Sequence, residues 1–92
     1  MRESEVVAHL KKWVSFLGGE TRKAKWEGRR HAPDLLVLLP GKACLVETKA
    51  LGKRPRPGQL REIERLRKSN LRVFVLDSAA AVEIWAREWA RP

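Results

Sequence analysis

Apolar residues recur at three- and four-residue steps through Val6, Leu10, Trp13 and Leu17, with Val7 and Val14 beside them. That spacing predicts a first helix over 3–17 with one inward face, stopped by Gly18-Gly19. From Glu20 to Trp26 the pattern alternates, Lys23 and Lys25 on one face and Ala24 and Trp26 on the other, as in a strand. A loop, Glu27 to His31, follows. Two apolar runs, Leu35 to Leu39 and Ala43 to Val46, flank Pro40-Gly41 and read as the strands of a hairpin. Pro57 opens a second helix running through Lys68. Its apolar stripe is Leu60, Ile63 and Leu66, with Arg61, Arg65 and Lys68 toward solvent. Leu71 to Asp77 is built of strong β-formers, and Ser78 caps a last helix, Ala79 to Trp89. Strand, crossover helix and strand imply a parallel pair. The predicted order is therefore αβββαβα, an α/β fold with helices packed on the faces of a mixed sheet.

If the hairpin strands meet across Pro40-Gly41, Leu39 faces Lys42, Leu38 faces Ala43 and Asp34 faces Glu47. Opposed side chains in such a pair have Cβ atoms only ~5 Å apart. Glu47 and Lys49 share a face and Thr48 points the other way. Two carboxylates and one amine are thus gathered at one end of an apolar ribbon, and a register slip of one residue scatters them.

The chain has 92 residues, which predicts one domain over 1–92. Its 20 Lys and Arg against 11 acidic residues give a net charge of +9, a balance suited to a polyanion such as nucleic acid. An anionic membrane is the rival partner, but no lipidation motif, signal peptide or spanning apolar segment supports it. The single Cys44 lies in an apolar strand and reads as a small core residue in a reducing compartment, hence a cytoplasmic protein.

Facing carboxylates on an apolar ribbon repel one another, and desolvation adds to the cost. A divalent cation is the simplest compensation, since Mg²⁺ takes oxygen ligands from one or two carboxylates plus waters and phosphate. A lysine two residues beyond a carboxylate is placed to orient or deprotonate a water. The plainer alternative makes Asp34 a strand-end cap and Glu47–Lys49 a surface ion pair. Spacing alone leaves both open. In the first helix Glu3 falls on the inward face and Glu5 well away from it. Glu3 serves either the carboxylate site or the positive helix N-terminus. Gln59 stands at the edge of the second helix's apolar stripe, facing the site or solvent. Arg29, Arg30 and His31, and then Lys53, Arg54 and Arg56 among Gly52, Pro55 and Pro57, are either phosphate contacts or solvated basic loops. His31, a lone histidine near a turn, suits hydrogen bonding or phosphate contact better than base or ligand chemistry.

Pro33-Asp34 followed by Glu47-Thr48-Lys49 resembles the PD-(D/E)XK nuclease signature. The wider sequence resembles the VRR-NUC branch in its stand-alone phage and bacterial form. The matching pieces are Pro33-Asp34, Leu36 to Gly41, Val46-Glu47, Lys49-Ala50, Gly52-Lys53, Arg54 to Pro57, and Gln59. The similarity runs from about Glu3 to Trp85. His31 and Ala32 depart from a Gly-containing loop, Thr48 replaces Leu or Val, and Leu51 replaces Pro.

The resemblance implies a restriction-endonuclease-like core and a DNA endonuclease dependent on Mg²⁺ or Mn²⁺. It implies metal ligands at Asp34, Glu47, the Thr48 carbonyl and Glu3, and catalytic roles for Asp34, Glu47, Lys49 and Gln59. DNA contacts fall to Arg29, Arg30, Lys53, Arg54 and Arg56. The implied substrate is branched or four-way-junction DNA, met in repair, recombination or phage replication within a bacterial or phage-infected cell. Cutting such a substrate at two symmetric places favours a homodimer. Two other classes remain at this point: a non-catalytic nucleic-acid-binding module, and a subunit active only in a larger assembly.

Overall fold

A computed structural model describes residues Met1–Pro92. The elements are α1 (Glu3–Phe16), β1 (Glu20–Lys23), β2 (Leu35–Leu39), β3 (Lys42–Thr48), α2 (Pro57–Lys68), β4 (Val73–Leu76) and α3 (Ala79–Trp85), the last running into a π-helical turn, Ala86–Ala90. This is the expected order of elements. The four strands lie in sequence order, β1, β2 and β3 antiparallel and β3–β4 parallel.

The hairpin register is the one the apolar pattern requires, with Leu39 opposite Lys42, Leu38 opposite Ala43 and Leu35 opposite Val46. Pro40-Gly41 is the whole loop. Proline presets the first turn position, and Gly41 takes φ +78°, the left-handed value a type II turn needs at its second. Alternation then divides β3: Cys44 and Val46 join the large core, whereas Leu45 joins the small one.

The large core lies between the sheet and the helices α1 and α3. Val6, Leu10 and Val14 of α1 meet Leu35, Val37, Cys44 and Val46 of the sheet and Val82 and Trp85 of α3. Burying each such aliphatic side chain contributes about 1.5–3 kcal/mol. Burial also pushes the Cys44 thiol up to about 12, so it stays protonated, the Trp85 indole opposing slightly. The smaller core lies under α2, where Ile63 meets Leu45 and Val73, with Ala24, Trp26, Leu36 and Leu66 at its margin.

Several boundaries depart from the sequence expectation. β1 stops at Lys23 and β4 starts at Val73, so Trp26 and Leu71 lie outside strands. Leu60, placed in the buried stripe of α2 by its spacing, is 45% exposed, while Glu62 is 4% exposed. The stripe is turned because Glu62 takes three donors: Trp26 Nε1 at 2.8 Å, the Arg29 guanidinium at 3.0 Å and Arg65 Nε at 3.0 Å. Burial alone raises a carboxyl pKa, but these hydrogen bonds and cations outweigh it and hold Glu62 below the usual value. The last helix is not α-helical to Trp89. Its final turn bonds Arg91 N–H to the Ala86 carbonyl, and Lys42 Nζ donates to the Trp89 carbonyl and stands 4.9 Å over its ring.

Candidate active site

Continuing the β2–β3 register beyond Leu35–Val46 places Asp34 opposite Glu47 and Pro33 opposite Thr48. Pro33 has no amide hydrogen, so the ladder loses the donor that the Thr48 carbonyl would otherwise meet. Thr48 turns instead to the Asp34 side chain. Asp34 Oδ2 accepts from Thr48 N–H and from Thr48 Oγ1, both at 2.8 Å. A threonine at this position therefore fixes the rotamer of Asp34, which Leu or Val could not do through its side chain. Asp34 Oδ1 has no hydrogen-bond donor from the protein.

Glu47 lies next to this pair on the α2 side and is only 2% exposed. Its Oε2 receives Gln59 Nε2 at 3.0 Å and the Lys49 ammonium at 3.2 Å, and its Oε1 has no partner. Burial, and then the Asp34 charge, push the Glu47 carboxyl above its ordinary value; Lys49 pulls it back, and Glu3 adds a smaller push. Gln59 links the elements. Its Oε1 accepts from Lys49 Nζ at 3.1 Å and from Arg56 N–H at 2.8 Å, so one amide caps α2 and ties it to the end of β3. Sequence spacing left Gln59 facing the site or solvent; the structure turns it to Glu47 and Lys49, which occupy its amide.

A cleft of about 400 Å³ opens beside Asp34 and Thr48, lined also by Glu3, Val7, Lys11 and Lys23. Glu3 thus stands on the Asp34 side of α1. Glu5 is turned away and accepts from Arg2 N–H at 2.9 Å, within the helix's own first turn. No set of three His, Cys, Asp or Glu side chains is gathered closely enough to hold a metal by themselves. The oxygen donors present are the Asp34 and Glu47 carboxylates and the Thr48 carbonyl. Their free lone pairs and hard-oxygen chemistry fit Mg²⁺ or Mn²⁺.

The predicted DNA contacts divide into two groups. Lys53, Arg54 and Arg56 are exposed on the segment between β3 and α2 and have no acidic partner. Arg30 is likewise exposed and unpaired, whereas Arg29 is committed to Glu62 while keeping 54% of its side chain exposed. Sequence reasoning missed Lys11 and Lys23 as cations lining the cleft. Lys11 follows Glu3 and Val7 at helical spacing, which was the available signal. Lys23 reaches the site only because it pairs with Leu35, next to Asp34.

Comparison with known proteins identifies the family. Residues 2–80 match the model of the VRR-NUC domain family. The chain is 47% identical over 79 residues to "Putative nuclease p44" of Acyrthosiphon pisum secondary endosymbiont phage 1, covering 85% of each protein. A solved structure described as a VRR_NUC domain superposes with a TM-score of 0.89 at 43% identity, over 95% of this chain and 96% of that one. The family match spans the Asp34 corner, the Glu47–Lys49 strand end and Gln59 together: the chain belongs to the VRR-NUC domain family of nucleases.

Proposed function

We propose that this protein is a divalent-metal-dependent DNA endonuclease of the PD-(D/E)XK type, hydrolysing phosphodiester bonds where Asp34, Glu47 and Lys49 meet. One observation carries the reading. The Glu47 carboxylate, buried to 2% exposure, lies beside a second carboxylate, each with a free oxygen, and its only cation is Lys49. A structural ion pair does not require that second acid. A cation held by Asp34, Glu47 and the Thr48 carbonyl, with Glu3 reached across the cleft, supplies Lewis acidity and neutralises charge on the phosphate.

Lys49, held by Glu47 and Gln59, positions the attacking water and stabilises negative charge as it develops. Gln59 keeps Lys49 and Glu47 in register with each other, so the three act as a unit. Lys53, Arg54 and Arg56, with Arg29 and Arg30 on the facing loop, hold the backbone by charge without reading sequence. The substrate we assign is branched or junction DNA in repair, recombination or phage replication, within the cytoplasm of a bacterial or phage-infected cell. Two symmetric cuts need two sites, which a homodimer supplies.

Digestion of labelled single-stranded, duplex, flap and four-way-junction DNA, with and without Mn²⁺, tests the reading. Cleavage that needs Mn²⁺ and disappears in Glu47→Gln is the expected result. No cleavage of any substrate by the wild-type chain would overturn it.

A further inference from the structure

His31 adopts φ +72°, in the left-handed region that favours glycine. The other non-glycine residue there is Asn70, at φ 65°, a residue type that tolerates it well. Side chains in this region bring Cβ against the following carbonyl, so His31 holds its place against a backbone cost. Its ring rests on the first turn of α2. A Cβ added at Gly58 would stand 2.5 Å from His31 Nε2, 2.9 Å from Cε1 and 3.0 Å from Cδ2. Glycine at 58 is therefore the seat of the ring, although that helical position favours alanine by intrinsic propensity.

The seat is close to the chemistry from both sides. Gly58 precedes Gln59, which holds Glu47 and Lys49, and His31 precedes Asp34 by three residues. The loop is anchored a second time on α2 through Trp26 and Arg29, both bonded to Glu62. Yet His31 is exposed and neither ring nitrogen has a protein partner. A positioned donor beside Arg30 and ahead of a carboxylate corner, in a chain of net charge +9, suits a phosphate oxygen.

We infer that His31 is a phosphate-contacting residue of this site, with Gly58 kept small to seat its ring. The inference rests on the nuclease reading above. Imidazole has an N–H to donate to a phosphate oxygen.

A double-mutant cycle on DNA affinity tests it, read by fluorescence anisotropy on a labelled junction without added metal, with thermal unfolding alongside. Glycine suits φ +72°, so H31G should melt no lower than wild type while binding roughly tenfold more weakly, the loss of one hydrogen bond to a charged group. H31N, which tolerates the backbone and retains a donor, should fall between. G58A should also weaken binding without lowering the melting temperature, because the ring is a movable side-chain end. H31G/G58A should bind no worse than H31G alone. Wild-type affinity in H31G, or losses that add in the double variant, would overturn the inference. Mn²⁺-dependent cleavage by wild type against E47Q reads the nuclease assignment separately, so either can fail alone.

Discussion

Pro33 stands opposite Thr48 in the continued β2–β3 register, and having no N–H it leaves the Thr48 carbonyl without its ladder donor. That missing donor keeps an oxygen available beside Asp34 and Glu47. Pro33→Ala restores an amide hydrogen at that place. We expect Mn²⁺ affinity, measured by calorimetric titration, to fall by on the order of tenfold, the usual scale for disturbing groups next to a metal ligand. Unchanged affinity would remove the Thr48 carbonyl from the ligand set.

Glu47→Gln should abolish cleavage, by at least about 100-fold, while leaving DNA affinity within a few-fold of wild type, because Lys and Arg supply most of the binding. The same variant should be more stable without metal. Burial and the Asp34 charge raise the folded-state pKa of Glu47 above its unfolded value, so the folded chain holds the proton more tightly. The contribution of this group to stability is then full below the unfolded pKa and falls as pH rises to the folded one. At neutral pH in EDTA, Glu47→Gln should melt a few degrees higher, on the order of 1 kcal/mol, and the difference should vanish near pH 4. A lower melting temperature at pH 7 contradicts this account of Glu47.

The corner formed by Asp34, Glu47 and Lys49 was legible in the sequence because two local signals agreed. Period-two alternation told which residues share a face, and Pro40-Gly41 marked the turn without imposing a two-residue loop. The register that joins Leu39 to Lys42 is the one the structure adopts. The start of α2 was legible for a similar reason, since Pro57 can occupy a first helical turn but not a later one. Glu62 was not legible. A glutamate between arginines on a helix reads as solvated, and its burial depends on Trp26 and Arg29, which lie 36 and 33 residues away in sequence. With Glu62 turned inward, Leu60 must turn out. The π turn after Trp85 was also invisible, because apolar spacing does not encode an i→i−5 bond. It is associated with the seating of Trp89 against Phe74 and Trp85, at 4.9 and 6.1 Å between ring centroids.

The two N-terminal glutamates should behave differently. Glu3 lines the cleft with Asp34 and Thr48, while Glu5 is committed to the Arg2 amide. Glu3→Gln should reduce cleavage at limiting Mn²⁺ roughly tenfold, the lower end for a group acting on bound metal. Glu5→Gln keeps an acceptor for that amide and loses only its charge at the positive helix N-terminus, so it should instead cost about 0.3–1 kcal/mol of stability. Equal cleavage rates for both variants and wild type take Glu3 out of the site.

Arg54 and Arg56 are exposed and carry no acidic partner, and Arg56 is the residue that leads into α2. Replacing both with Ala should weaken binding to all DNA sequences alike. It should also flatten the plot of log K against log salt by roughly 0.9 for each phosphate that is no longer neutralised. A slope equal to that of wild type places this segment off the DNA.

A second copy of this chain would need exposed apolar surface on which to dock. Trp85 and Trp89 pack on Phe74, and Trp26 joins the small core, so the tryptophans are largely taken up within one chain. The apolar surface left over includes Phe16, 80% exposed at the end of α1, and Ile84, 54% exposed on α3. Phe16 stacks edge-on against Trp13 at 5.8 Å, and the groove beside them is lined by Leu17, Ala86, Arg87 and Arg91. An aromatic anchor with an arginine rim has the composition of an interface centre. Phe16→Asp should leave folding intact, since the side chain buries little in the monomer. In sedimentation equilibrium at micromolar concentration the wild-type chain should be dimeric, and Phe16→Asp should weaken the dimer by about 2 kcal/mol or more, the scale of an anchor residue. On a four-way junction the wild type should then make paired nicks and Phe16→Asp uncoupled single ones. A wild-type chain that stays monomeric with and without junction DNA would retire the dimer altogether. A dimer indifferent to Phe16→Asp would move its interface elsewhere, with Ile84 the next position to charge.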